Sequence, residues 1–219
     1  MRANLYAVSL RGQVYRTTDG ETWTLVGAAE MPTKTHWIRE TATGNGVLVG
    51  SGDFGPVLAF DPKTGRIIVT QMAGQTEKNA TWKRVAFGNG RFVVCGQDGL
   101  LAASADGLAW ENNETVPDRG HVFGVVWAGD AFLATTEKAG TLVSKDGRVW
   151  KEHKVKSPKM MVRAGSWIYG WSWPPTKLSR SKDGNKWEEL PNEMEYHVKH
   201  VAVGGLAGEG QPPAPPSVE

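Results

Sequence analysis

The chain has 219 residues, 40% hydrophobic and 22% charged, with a formal net charge of +2. That is enough apolar material for one large core, and without a dense Lys/Arg block it argues against nucleic acid or an anionic membrane surface as the main partner. No apolar run approaches the length of a membrane-spanning helix, so membrane insertion is not expected, while 27 glycines and 10 tryptophans require many tight turns and a repeated aromatic role.

The first element in chain order is a strand pattern, Asn4-Leu-Tyr-Ala-Val-Ser9, with no signal-like apolar stretch before it. Either the protein is cytosolic or a signal has been removed, and we lean to the extracytoplasmic reading. Next comes Thr17-Thr-Asp-Gly-Glu-Thr-Trp23, which returns as Ser104-Ala-Asp-Gly-Leu-Ala-Trp110, Ser144-Lys-Asp-Gly-Arg-Val-Trp150 and Ser181-Lys-Asp-Gly-Asn-Lys-Trp187. A degenerate copy, Ala59-Phe-Asp-Pro-Lys-Thr-Gly65, fills the long gap between the first two. The aspartates then fall at 19, 61, 106, 146 and 183, at intervals of 42, 45, 40 and 37. An internal period of this size signals a repeat architecture.

The third unit is the clearest. Trp82–Phe87 reads as a first strand, Gly88-Asn-Gly90 as a tight turn, Arg91–Cys95 as a second strand, Leu100–Ala103 as a third, and Leu108–Glu111 as a fourth. Cys95 falls in an apolar strand and reads as a small buried hydrophobe. Four short strands per repeat and no sustained helical period predict an all-β fold, a five-bladed β-propeller of four-stranded antiparallel blades spanning residues 1–205. The chain starts at a second strand and ends after a first strand, Val198-Lys-His-Val-Ala-Val203. Pairing that strand with the N-terminal strands in one blade is expected to close the ring and remove an open edge. Residues 206–219 are Gly/Pro-rich and read as a disordered tail or linker.

In the repeated motif, the Ser/Thr hydroxyl and the Asp carboxylate suit the backbone amides of a tight turn, and the Trp suits packing across the hairpin. The segments resemble Asp-box (BNR-like) repeats, in a short form with Asp and Gly adjacent. That form is similar to bacterial sialidase-like and photosystem II assembly-factor-like propellers. The resemblance implies that the motif turns lie between third and fourth strands, on the side away from the ligand face. Asp19, Asp106, Asp146 and Asp183 are then scaffold and not catalytic groups or metal ligands.

Candidate ligand groups are therefore sought on the opposite face and at the channel mouth. Aligning the first strands on their turn glycines places Glu40, Arg84, Val125, Met161 and His200 together, with Arg39 one step outward and Arg163 closer to the turn. Asp53 lies in a loop of the same face. Trp171 and Trp173, in Trp167-Ile-Tyr-Gly-Trp-Ser-Trp-Pro-Pro175, read either as stacking platforms or as rings buried between blades. The pair His197/His200 cannot share one ion, because i and i+3 on a strand point to opposite faces. No catalytic residue, metal or cofactor is assigned. The expected function is a monomeric, non-enzymatic propeller that binds a glycan, as a lectin does, or a protein. The alternatives are a scaffold or assembly-factor role, and a carbohydrate-active hydrolase or lyase.

Overall fold

The computed structural model describes residues 4–31, 37–53, 56–71, 82–112, 118–172 and 176–194. These form five consecutive antiparallel sheets. The first contains β1 (Leu5–Val8), β2 (Gln13–Thr17) and β3 (Thr24–Ala28). The second contains β4 (Ile38–Gly44), β5 (Val47–Gly52), β6 (Pro56–Asp61) and β7 (Arg66–Gln71). The third contains β8 (Trp82–Gly88), β9 (Arg91–Gly96), β10 (Leu101–Ser104) and β11 (Glu111–Asn112). The fourth contains β12 (Val122–Trp127), β13 (Phe132–Thr136), β14 (Thr141–Ser144) and β15 (Lys151–His153), and the fifth β16 (Met160–Ala164), β17 (Trp167–Trp171), β18 (Thr176–Ser181) and β19 (Glu188–Met194). Each sheet is a meander, and β4, β8, β12 and β16 lie side by side as the inner strands. This is a five-bladed β-propeller. The one helical element among the described residues is a 3-10 turn at Gln97–Gly99. The strand expected to complete the first blade, Val198–Val203, and the tail at 206–219 lie outside the described residues.

The strands are short because glycine turns cut them. At Asn45-Gly46 and Asn89-Gly90 both residues have positive φ, 48° and 77° then 44° and 71°, the hairpin conformation whose twist matches the flanking strands. These asparagines also tie blades together. Asn45 Nδ2 donates to the carbonyls of Gly90 and Ala105 at 2.9 Å each, and Asn89 Nδ2 donates to that of Lys145 at 3.0 Å.

Between blades the core is built seam by seam. Val14, Leu58 and Phe60 join blades one and two; Val49, Phe92 and Val94 join two and three; Val93, Phe132 and Trp150 join three and four; Leu133, Met161 and Ile168 join four and five. Cys95 is fully buried in the third of these seams. Close approach needs small residues: a Cβ on Gly88 would lie 2.1 Å from the Trp127 ring. The leading face of blade one differs from the rest. Cross-strand register aligns Leu5 with Phe92, Phe132 and Ile168, all fully buried, yet Leu5 is 53% exposed, and Trp23 of the same blade is 43% exposed.

The motif turns lock this stacking. Thr17 Oγ1 donates to Asp19 Oδ1 at 2.8 Å and accepts the N–H of Gly20 at 2.9 Å. Asp19 Oδ1 in turn accepts the N–H groups of Glu21 and Thr22, both at 2.9 Å. The same pattern repeats at Ser104/Asp106 and Ser144/Asp146. Because the carboxylate holds the next two amides in the turn, the fourth strand begins after the tryptophan. It starts at Glu111 and not at Leu108 as the sequence pattern suggested. Trp110 and Trp150 close the turn by donating Nε1–H to Gly107 and Gly147 carbonyls, at 3.0 and 2.9 Å. Asp61 keeps part of the arrangement, accepting from Lys63 N–H at 2.8 Å and Thr64 Oγ1 at 2.9 Å.

The turn glycine is also a wedge. Gly107 has φ +78°, and a Cβ there would meet Val49 Cγ2 of the preceding blade at 2.6 Å; Gly147 and Gly184 contact Val93 and Leu133 in the same way. Gly20 has φ +84° with nothing within 4 Å among the described residues. Gly107→Ala should therefore cost about 3 kcal/mol, from positive φ plus overpacking, and Gly20→Ala about 1 kcal/mol from φ alone. Urea unfolding of the two variants measures the difference, and equal losses would exclude the wedge role.

The bonded carboxylates titrate low. The N–H of Thr22, the hydroxyl of Thr17 and the N–H of Glu21 pull Asp19 down to about 2. At Asp106 and Asp146 burial pushes the other way, but the turn amides and the serine hydroxyl outweigh it and the net shift is downward. A folded value below the unfolded one gives stability that is present above about pH 4 and lost as pH falls toward the folded value. The difference in Tm between the protein and its Asp19→Asn variant should shrink below about pH 4 and close near pH 2. A difference that is constant with pH would show that the carboxylate charge does not matter.

Candidate functional site

Strand direction sorts the loops into two faces. The hairpins from first to second and from third to fourth strands lie on the face of the Asp-Gly turns. The loops from second to third strands, and those entering each inner strand, make the other face. There the structure brings four candidate residues together as two ion pairs. Arg39, near the start of β4, donates from Nε to Asp53 Oδ2 at 2.7 Å, and Asp53 is buried with its own N–H on the Trp37 carbonyl. The Arg39 guanidinium also sits 5.3 Å above the Trp37 ring, which is 40% exposed. Ile38 N–H donates to the Leu10 carbonyl at 2.8 Å, which joins the loop of exposed Leu10 to the segment that carries Trp37.

The second pair lies at the channel mouth. Arg84 Nη1 is 3.1 Å from Glu40 Oε1, the Val85 N–H donates to Glu40 Oε2 at 3.3 Å, and Arg84 Nη2 approaches Met160 Sδ at 3.8 Å. Burial pushes the Glu40 carboxyl above its ordinary value, and Arg84 opposes the shift. The carboxylate is thus committed to bridging inner strands β4 and β8. Removing one partner strands a poorly hydrated charge.

Two candidates behave differently from the ligand-face expectation. Trp171 is only 2% exposed, so its ring is packed in the fold and is not a stacking platform. Arg163 points to the Asp-Gly face, donating to the Gly165 carbonyl at 3.1 Å and that of Trp127 at 3.4 Å. The ladder shows why: Phe87, Trp127 and Arg163 face Phe92, Phe132 and Ile168 beside their hairpins. Blade five turns through Gly165-Ser166, with Ala164 paired to Trp167, whereas Gly44 and Gly88 are themselves the last paired residues of their strands, so alignment on Gly165 shifts the equivalence by one residue. Trp173 and His200 lie outside the described residues.

Loops of the same face are stitched across blades three and four. Asp98 N–H donates to His121 Nδ1 at 3.1 Å, Glu137 N–H to the His121 carbonyl at 2.8 Å, and buried Arg119 donates from Nε to the Gly99 carbonyl at 2.7 Å. Beyond them, a recess of about 420 Å3 opens between blades four and five, lined by Phe123, Glu137, Lys138, Lys156 and Lys159 among others. Lys156 and Lys159 were not singled out from the sequence. The signal was present as the alternating lysines of Lys154-Val-Lys-Ser-Pro-Lys159. No cluster of metal-ligating side chains is found among the described residues.

No family model matches the chain, and no curated protein does. Similar solved structures are propellers. A catalytically inactive virginiamycin B lyase from Staphylococcus aureus, solved with quinupristin, has a TM-score of 0.61 at 14% identity over 85% of this chain and 68% of that one. YCF48 bound to D1 peptide has a TM-score of 0.53 at 15% identity, over 69% of this chain and 52% of that one. The WD40 propeller domain of Doa1 gives 0.56 at 11% identity, over 89% and 66%. At these identities the likeness is one of fold.

A double-mutant cycle tests the channel-mouth pair. Glu40→Gln and Arg84→Met should couple by about 1–3 kcal/mol in urea unfolding. A coupling near zero would show that solvent screens the two charges from one another.

Proposed function

We propose that this chain is a protein-recognition propeller that binds its partner on the face opposite the Asp-Gly turns. The observation that carries this is the patch formed by Leu10, Trp37 and Arg39. Two large apolar residues, 54% and 40% exposed, lie on segments joined by the Ile38–Leu10 backbone hydrogen bond, with a guanidinium held over the Trp37 ring by buried Asp53. Exposed apolar groups next to a positioned arginine are the composition of an interaction hot spot. On the other face the motif turns spend their hydroxyls and carboxylates on their own backbone. Among proteins of similar fold, YCF48 was solved with a bound peptide, which supports this class of ligand.

Glycan recognition is the second reading, favoured by the same exposed Trp37 ring, since an indole face stacks on the apolar face of a sugar. The experiment is pull-down mass spectrometry in parallel with a glycan array. It uses the intact chain, a Leu10→Ala/Trp37→Ala variant, and a Lys145→Ala/Lys151→Ala variant on the opposite face. The expected result is a specific protein partner lost only in the first variant. A glycan lost only in that variant would replace the protein reading with the lectin-like one, and equal behaviour of both variants would reject the face assignment.

A further inference from the structure

We propose that Asn89-Gly90 is a site of spontaneous deamidation, and that its conversion opens the clasp between blades three and four. The site lies on the Asp-Gly face, apart from the Trp37 patch, and its chemistry is independent of what the protein binds. Asn-Gly occurs twice in the chain, at Asn45-Gly46 and Asn89-Gly90, and each pair forms the two-residue hairpin from first to second strand. The positive φ values of that hairpin select this pair, because asparagine tolerates the left-handed region and glycine occupies it freely. The same pair is chemically labile. Glycine has no side chain to shield its backbone nitrogen, and a Cβ on Gly90 would meet nothing within 4 Å among the described residues. Asn89 and Gly90 are both exposed, so water reaches the turn.

The reaction needs only water. The Gly90 backbone nitrogen attacks Asn89 Cγ. The N–Cγ bond forms, the Cγ–Nδ2 bond breaks, and Nδ2 leaves as ammonia with the proton that the glycine nitrogen gives up. Water then opens the cyclic imide. Attack at Cγ yields an aspartate, and attack at the main-chain carbonyl carbon of residue 89 yields an isoaspartate. By either route an amide and a water become a carboxylic acid and ammonia, and the Gly90 nitrogen regains its proton.

The clasp makes the conversion structural. Asn89 Nδ2 donates at 3.0 Å to the Lys145 carbonyl, which belongs to the Ser144-Lys-Asp146 turn of the next blade. An ionised carboxylate only accepts, so an aspartate at 89 loses this bond and sets an oxygen against the carbonyl. An isoaspartate adds a main-chain atom to a loop whose length fixes the hairpin register. Asn45 carries the same chemistry under tighter restraint. Its Nδ2 donates to two carbonyls, those of Gly90 and Ala105, at 2.9 Å each. The amide must leave its acceptors before Cγ can meet the glycine nitrogen, and one further hydrogen bond slows that release about fivefold. Both asparagines stand in Gly-Asn-Gly, so it is the acceptors and not the flanking residues that separate them.

Heavy-oxygen water tests the site, because each conversion takes up one oxygen from solvent. The intact folded chain is incubated at mildly alkaline pH beside the same chain in urea, and tryptic peptides are mapped by mass spectrometry after digestion in ordinary water. In urea, Asn45 and Asn89 should label at equal rates. In the folded chain Asn89 should label first and Asn45 about fivefold more slowly. Asn185, whose nitrogen-side neighbour in the reaction is Lys186, should stay unlabelled. In Asn89→Asp, amide exchange at Arg148 and Val149 of the blade-four turn should quicken about fivefold, with Leu108 and Ala109 of the blade-three turn unchanged. Aged wild-type protein gives the same reading should that variant not fold. An Asn89 still unlabelled in the folded chain when the urea sample is fully labelled, or an Asn45 that labels as fast as Asn89, would overturn the site. Unchanged exchange at Arg148 and Val149 would overturn the opening of the clasp.

Discussion

One carboxylate oxygen accepting two successive backbone amides is the contact on which the stacking of blades depends. At Asp106 and Asp146 this pins the turn after the third strand and sets the turn glycine at positive φ. The glycine can then press against a valine of the blade before it. The motif's hydrogen bonds lie within one hairpin, but their consequence is between hairpins. The local hydrogen bonds are worth about 1 kcal/mol each. They place the surfaces of apolar seams whose large side chains contribute about 1.5–3 kcal/mol apiece.

The same economy divides the two faces. On the Asp-Gly side, hydroxyls, carboxylates and asparagine amides are consumed by backbone, leaving a surface whose polar groups serve assembly. On the opposite side, polar groups join loops pairwise, as Asp98 to His121 and Glu137 to His121, and the apolar groups Leu10 and Trp37 are left facing water. A repeated scaffold presenting unrepeated groups on one face suits recognition, because each position there is free to vary without disturbing the ring.

The architecture was largely legible in the sequence. Aspartate spacing revealed the blade count, glycine pairs marked the hairpins, and Cys95 lies in the core as its apolar run suggested. The site was legible only in part. Arg39, Glu40, Asp53 and Arg84 were recognisable as inward or loop charges, but their pairing across strands depends on register, which a linear pattern does not encode. Arg163 was misplaced by one position, and of the two readings of Trp171 the buried one holds. Gly165 opens the turn of its hairpin, where Asn45 and Asn89 stand in theirs, so alignment on it misplaced Arg163 by one residue; and alternation alone does not tell an exposed strand face from one covered by packing. Trp37 and Leu10 escaped notice because exposure is set by neighbours far away in sequence.

The seams described above connect each blade to its immediate neighbours in chain order. Such a structure stores its stability as a series of nearest-neighbour couplings, more like a row of dominoes than a single globule. Blade two is held on both sides by Leu58 and Phe60 at one seam and Val49 at the other, whereas Leu5 and Trp23 leave the leading face of blade one in solvent. A change in one blade is therefore felt first by the blades that flank it, through the side chains they share at a seam.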